Sequence, residues 1–418
     1  MVAWRRHSPF FILIFLNCLV WGLEDNRFLV NYLFYKPFIR QDASPYGIRY
    51  SAQLYGMFAN SSWCQSKDQN LGLFDIFGIY DSNELDQALQ TAGITTSSLF
   101  RSDFQGFLGP VRWNIAGRFD AFGAAFNFYS VLHPNVAIGI DGGVIHVNSR
   151  MNMIRNRELL RGVILGPGDE REIFLTNELI KTYLQTEPGI WSKTALTDFE
   201  LYLRFFHTGD YKHRLKRYDI GAQVGVYLPA APARNIYNPA SISIGGDRHW
   251  GMYGELNANC ILKEDVEAGA QFRVGKRFSR TSLQRMPALL EPTNFGAIIA
   301  PANVDPGITI GFVPWVTLEG IRDKLGFRFS YAIIFHDNDC WSVSSNLVPQ
   351  PNLQLLSERS RWMREYVMLG LFYDFAPDSE CHSYYPTLSL TWDMPVNGLV
   401  TQNVFKTQGV SLIIEADF

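Results

Sequence analysis

The segment KLGFRFSYAIIFH, Lys324 to His336, most narrows what this chain can fold into. Read as a β-strand, it puts Leu325, Phe327, Phe329, Tyr331, Ile333 and Phe335 on one face and Gly326, Arg328, Ser330 and His336 on the other. An aromatic face of that length is hard to bury in a soluble core when Gly, Ser and Arg lie opposite. It suits a wall with an apolar solvent on one side and water on the other.

The same two-residue period recurs along the chain. It is present in FELYLRF from Phe199, YDIGAQVGVYL from Tyr218 and VEAGAQFRV from Val266. Further members begin at Gly47, Asn135, Trp250, Gly307, Tyr366 and Tyr385, and GVSLIIEADF ends the chain. The run from Asn114 changes parity near Gly123, which predicts a bulge there. Pro314 and Pro386 each remove a ladder donor and predict a bulge or a strand end.

The connections alternate in length. About 50 residues separate the first two strands, HPN makes the next link, and about 50 residues follow from Asn148 to Thr197. The alternation then continues: HTGDYKHR is short, the stretch around Asn235 long, LKED short, Ser279–Asp305 long, EGIRD short and 337–361 long. A sandwich has no reason to keep such a rhythm, whereas a membrane barrel with short turns at one rim and long loops at the other requires it. The predicted fold is all-β: an antiparallel up-and-down transmembrane β-barrel of about twelve strands over 46–418, with helical segments in long external loops.

The N-terminus carries Arg5 and Arg6 before an apolar run from Phe10 to Trp21, with Val20 and Gly22 suited to a cleavage site. This is the pattern of a secretory signal over 1–22, since the run is shorter than the roughly 20 residues a spanning helix needs. Residues 23–45 are then a periplasmic segment or a plug. Removal of Arg5 and Arg6 leaves 35 basic against 40 acidic residues, which points away from nucleic acid as a partner. Aromatic residues make up 14% of the chain and charged residues 18%, a balance suited to much surface facing something other than water.

These features resemble the bacterial outer-membrane β-barrel class, porin-like in character. Val410, Leu412, Ile414, Ala416 and Phe418 match the final strand of that class, which typically ends in an aromatic residue read by the insertion machinery. The resemblance implies an outer-membrane location with both termini periplasmic, and partners limited to outer-membrane lipid, the insertion machinery and small solutes. Oligomeric state is left open.

On the inner parity lie Arg49, Glu200, Arg204, Asp219, Glu255, Glu267, Arg273, Arg328, Arg364, Asp374, Asp393 and Glu415. Inward charges require water, cross-lumen pairs, or both. They fit a passive channel for small polar solutes and equally a closed barrel whose long loops bind a partner or host surface. Two amphipathic helical stretches, 81–93 and Glu170–Gln185, are candidates to narrow the mouth. The topology puts Cys64 and Cys340 both in external loops, a candidate disulfide.

No chemistry-bearing motif stands out. FHDNDCWSVSSN from Phe335 is similar in composition to outer-membrane phospholipases, but Asn338 occupies the position where their His-x-Ser-Asn pattern places serine. A lipid hydrolase is the remote alternative, and no catalytic residue, cofactor or metal is assigned. His146 and His207 read as interface rings near strand ends. GPGDERE from Gly166 lacks the lysine of a phosphate loop, and GGDR from Gly245 lacks a carboxylate ladder for calcium, so both read as turns.

Overall fold

The structure is a computed structural model that describes residues 47–417 except 65–66, 75–79, 82–89, 91–92, 94–111, 156–186, 211–216, 264–265, 289–290, 292–295, 322–323, 345, 348, 376–385 and 400. The signal segment, residues 23–45, Phe418, the 170–185 helix and most of the 81–93 helix lie outside the described residues.

Twelve strands close into one antiparallel barrel. In chain order they are β1 (Ile48–Ala59), β2 (Arg112–His133), β3 (Val136–Arg155), β4 (Phe199–Asp210), β5 (Arg217–Leu228) and β6 (Gly251–Lys263). They continue with β7 (Val266–Arg277), β8 (Thr309–Ile321), β9 (Leu325–His336), β10 (Trp362–Asp374), β11 (Thr387–Val396) and β12 (Gln408–Asp417). Each pairs with its neighbours in sequence, and β12 returns to β1 with Arg49 opposite Asp417 and Phe58 opposite Gln408. Closure leaves the barrel without an edge strand, so its strands pair with one another around the wall, as a bilayer demands.

The alternation predicted from sequence is the alternation of exposure. Leu54, Phe122, Phe128, Leu203, Ile220, Leu256, Phe327 and Leu412 stand exposed on the outer face, while their chain neighbours point inward and are buried or half-buried. Glycine on one strand recurrently lies under an aromatic ring on the next. A Cβ on Gly139 would meet the Tyr202 ring at 2.2 Å, on Gly225 the Tyr253 ring at 2.5 Å, and on Gly326 the Phe372 ring at 2.0 Å. In each case the two residues are cross-strand partners. The ring covers the backbone that glycine exposes, which fastens neighbouring strands.

Several expectations are corrected. β2 has no bulge at Gly123: its register with β3 is continuous from Trp113 to Val131 and shifts only between Val131 and His133. The apparent parity change arises because the inward residues Ile115, Phe119 and Ala121 are themselves apolar and packed against a loop core. β8 runs unbroken through Pro314, which pairs with Ala270, and the β8–β9 register is the same on both sides of it. Pro386 directly precedes β11, the strand end expected there. Cys340 is a free, exposed thiol, so the expected bridge to Cys64 is not formed. The two cysteines belong to separate small sheets, Ser61–Cys64 with Lys67–Gly72 and Val404–Phe405, and Cys340–Val343 with Arg280–Met286 and Ile298–Asp305.

The part of the second long connection adjoining its flanking strands is also strand. β2 has 22 residues and β3 has 20, against the 10 to 13 of the other barrel strands; their surplus lengths pair with each other, and Val144–Arg150 of β3 pairs with Ile190–Leu196 on its other side. A tilted spanning strand needs only about 9 to 11 residues, so this ribbon continues well past an apolar band.

Candidate lumen site

Four inner-wall strands contribute the densest polar arrangement, and Arg273 of β7 is its centre. Its guanidinium donates to Glu200 Oε2 at 2.7 Å and to the Tyr227 hydroxyl at 3.1 Å, and lies 3.6 Å from Glu255 Oε2. It also sits 3.7 Å above the centre of the Tyr253 ring. Tyr253 in turn accepts a hydrogen bond from Gln223 at 2.8 Å and packs 5.1 Å from Tyr227. Period-2 geometry produces this arrangement: Glu200, Tyr227, Glu255 and Arg273 come from β4, β5, β6 and β7, and the register sets Glu200 opposite Tyr227 and Glu255 opposite Arg273. The result is a ladder of charge and hydroxyl running around the wall.

The other predicted inner residues take separate local partners. Asp219 accepts from Thr208 at 2.6 Å and lies 3.5 Å from Arg217, and Arg328 donates to Thr317 at 3.0 Å. Glu267 accepts from Asn259, and Asn127 donates to both Asp141 and Tyr202. Arg364 stacks on Tyr366 at 4.3 Å and interacts electrostatically with Asp393. Arg49 and Arg204 are buried on the same face, while Asp374 and Glu415 are half-buried. Of the twelve residues named from sequence, Glu200, Glu255 and Arg273 meet in this cluster, and Arg49 and Arg204 both lie close enough to Tyr129 to act on it electrostatically.

Above this ladder, towards the rim of long connections, residues 229–250 fold into the barrel. Ala231, Ala240, Ile242 and Ile244 pack against Tyr55, Met57, Phe119, Ala121, Ile145 and Val147 of β1, β2 and β3, together with Leu73, Phe74 and Phe405. The loop is fastened by residues that the sequence reading missed. Between Ile190–Leu196 and β4 the chain breaks register at Thr197 and Asp198, which turns the Asp198 carboxylate inward. There it pairs with Arg277 at 2.6 Å and accepts the amides of Ala231 at 3.1 Å and Gly246 at 2.8 Å. Arg277 also donates to the His249 carbonyl at 2.7 Å.

Both charges are fully enclosed: the two backbone amides complete Asp198, while Arg277 is met through Nη1 by the carboxylate and the His249 carbonyl, and its Nε and Nη2 make no hydrogen bond among the described residues. GGDR, read as a turn, is one, and its glycines are what allow the fastening. A Cβ on Gly246 would fall 1.9 Å from the Arg277 guanidinium carbon, and Asp247 and Arg248 both have positive φ. Signals existed for part of this. Extending VEAGAQFRV by three residues adds Arg277 to the Arg273 face. Extending FELYLRF back by one residue likewise adds Asp198 to the Glu200 face, although it breaks the parity of Ile190–Leu196.

His336 is held on both ring nitrogens, by Thr309 at 2.8 Å and Asp339 at 3.0 Å, and stacks on Trp362 at 5.4 Å. Asp339 also accepts from the Gly307 amide at 2.6 Å. Thr309, His336 and Asp339 are all buried to within 1%. This closed clasp ties the ends of β8 and β9 to the following segment and leaves no face of the threonine hydroxyl open to a substrate. Among the described residues, no group of three or more potential metal ligands occurs.

No protein-family model matches the chain, and no curated protein is significantly similar to it. Solved structures do resemble it. An outer-membrane channel from Pseudomonas putida F1 aligns with 92% of this chain and 100% of its own at a TM-score of 0.50 and 8% identity. The P. putida toluene transporter TodX covers 96% of each chain at 0.34 and 10% identity, and the porin NanC covers 70% of this chain and 92% of its own at 0.30 and 8%. At such identities likeness speaks to fold alone, and only the first value reaches a shared fold. The fold is that of a bacterial outer-membrane β-barrel.

Proposed function

We propose that the protein is an outer-membrane channel for small polar solutes, with its long-connection rim outside and both termini periplasmic. The observation that carries this reading is the Glu200–Arg273–Glu255 ladder with its tyrosine hydroxyls on the inner wall of a closed barrel. Charges placed there cost several kcal/mol each unless water or partners meet them, and a polar pathway gives them a use. The 229–250 loop, fastened by Asp198 and Arg277, is the constriction in this reading, in place of the helical segments. The P. putida F1 structure is described as an outer-membrane channel, which accords with it.

The twelve inner residues named from sequence line the pathway, and Val410, Leu412, Ile414, Ala416 and Phe418 serve assembly. Val410, Leu412 and Ile414 are exposed on the outer face, as lipid contact requires. Ion selectivity in a planar bilayer tests the pathway: Arg273→Gln shifts the reversal potential towards cations, and Glu200→Gln shifts it the opposite way. Identical reversal potentials in both variants would remove the ladder from the pathway. Deleting Phe418 lowers the folded, heat-modifiable fraction in outer membranes while leaving the conductance of the correctly inserted fraction unchanged.

A second reading has its own support. Arg273, Glu200 and Arg364 are each no more than 3% exposed, as in a barrel whose interior is packed and whose function lies in its external loops. Silence of folded protein in the bilayer would favour it.

A further inference from the structure

We infer that the outward face of the β2–β3 ribbon binds a phosphate on the headgroup of an outer-leaflet glycolipid, held between Arg118 and Arg150. The inference concerns the outside of the wall and takes from the proposed function only that the long-connection rim faces outward.

The outward rows of the ribbon change character in order. Ala124, Val144 and Leu196 form an apolar row, with Val144 and Leu196 exposed. The next row is amphipathic: Phe122 packs on the His146 ring at 4.9 Å, and His146 bonds Thr194 at 2.7 Å. Asp120 and Asn148 follow, joined at 3.1 Å. Arg118 and Arg150 form the next row, directly opposite one another, beside the exposed Ile190, and the ribbon continues past them through Ala116 and Asn152. Apolar band, aromatic girdle, neutral polar row and cationic row is the order of a bilayer met from its core outward.

Position fits as well. From Phe122 to Arg118 is four residues. That is about 13 Å along a strand, or about 9 Å along the membrane normal at a tilt near 45°. Such a height above the girdle is the level of headgroup phosphates rather than of acyl chains.

Two arginines paired across strands repel, and a sheet has no reason to set them there unless an anion lies between them. Both are exposed, and neither has an ion pair or hydrogen bond among the described residues. The carboxylate on the same face nearest in register, Asp120, is turned to Asn148 instead. Two planar guanidinium forks facing one gap match the oxygens of a phosphate, which lysines would meet only as point charges.

The test is lipid retention by folded protein in detergent, counted by native mass spectrometry with bisphosphorylated lipid A as the probe. Wild type retains one lipid A tightly, the Arg118→Ala/Arg150→Ala variant binds it at least about tenfold more weakly, and Arg118→Lys/Arg150→Lys falls between. Dephosphorylated lipid A binds wild type no better than it binds the double alanine variant. Heat-modifiable mobility confirms that each variant is folded, and both substitutions lie on an exposed face that carries no packing. Equal retention by wild type and the double alanine variant overturns the proposal. So does equal retention of phosphatidylglycerol, or displacement of lipid A by excess inorganic phosphate, since either would make this an unselective anion site.

Discussion

The inner wall has two halves that solve opposite problems. Around β4 to β7 it is polar, and Arg273, Glu200, Glu255, Tyr227 and Tyr253 meet one another along the wall. Around β1 to β3, towards the long-connection rim, it is apolar, and Phe119, Ile145 and Val147 pack against Ile242 and Ile244 of the inward loop. The contacts that define the first half lie within the wall. The second is complete only when the loop is in place, and the Asp198–Arg277 pair, which holds the loop, joins the polar half to the apolar one. An inward loop can therefore be held by letting part of the inner face, including that of the lengthened β2 and β3, remain hydrophobic and giving it a loop to bury.

The largest effect should come from the joint. Asp198→Ala leaves Arg277 enclosed without its carboxylate, at a cost of about 3 to 5 kcal/mol. Limited proteolysis should then cut within 229–250 while the barrel stays resistant. Loss of the whole barrel, or an uncut loop, would show that the two halves do not meet through this pair.

Next is the apolar half. Ile244→Ala removes a buried side chain and should cost about 2 to 4 kcal/mol in chemical denaturation. Glu200→Gln in the polar half should alter ion selectivity with little effect on loop cleavage. A reversed pattern would mean the halves have been assigned the wrong roles.

A smaller effect belongs to the wall beneath both. Gly139→Ala would push a methyl into the Tyr202 ring and should cost about 1 to 3 kcal/mol, lowering the temperature of the heat-modifiable transition. Partial recovery in Gly139→Ala/Tyr202→Ser would show that the ring is the obstacle.

The smallest effect lies outside the barrel, in the connection between β7 and β8. Burial pushes the Glu291 carboxyl from 4.5 up to about 7, although it accepts the amides of Ala297 and Ala288. A raised folded-state value means that the protonated form is preferred on folding. Its stabilisation is thus full below about pH 4.5 and is lost as pH rises through about 7. Hydrogen exchange at Ala288 and Ala297 should quicken across that window, and Glu291→Gln should flatten the dependence. Exchange that instead slows with rising pH, after correction for the intrinsic rate, would contradict this.

Sequence alone showed the barrel well where the two faces of a strand differ in chemistry. In β4 to β9 one face is apolar and the other carries Gly, Gln, Tyr and Arg, so period-2 reading recovered which face is outward. It failed at β2 because inward Phe119 and Ala121 look like outward residues. Alternation measures a contrast between faces, and an inward loop erases that contrast. The same physics limited the site. Arg273 and its two carboxylates were legible from parity, whereas Asp198 lies one residue before the segment that was read, and the loop it holds looked like an ordinary turn-rich connection. The rim sheets were invisible because their strands are short and pair across distant connections, as Cys340–Val343 does with Ile298–Asp305.

The central claim is that the barrel conducts and that residues 229–250, held by Asp198 and Arg277, set how much. Single-channel recording of refolded wild type and of Asp198→Ala/Arg277→Ala in planar bilayers tests it most directly. The account predicts steady ohmic steps for wild type and larger unit steps for the double variant, whose loop is released. Silence from both, with each protein folded and heat-modifiable, or unit steps of equal size, would contradict it.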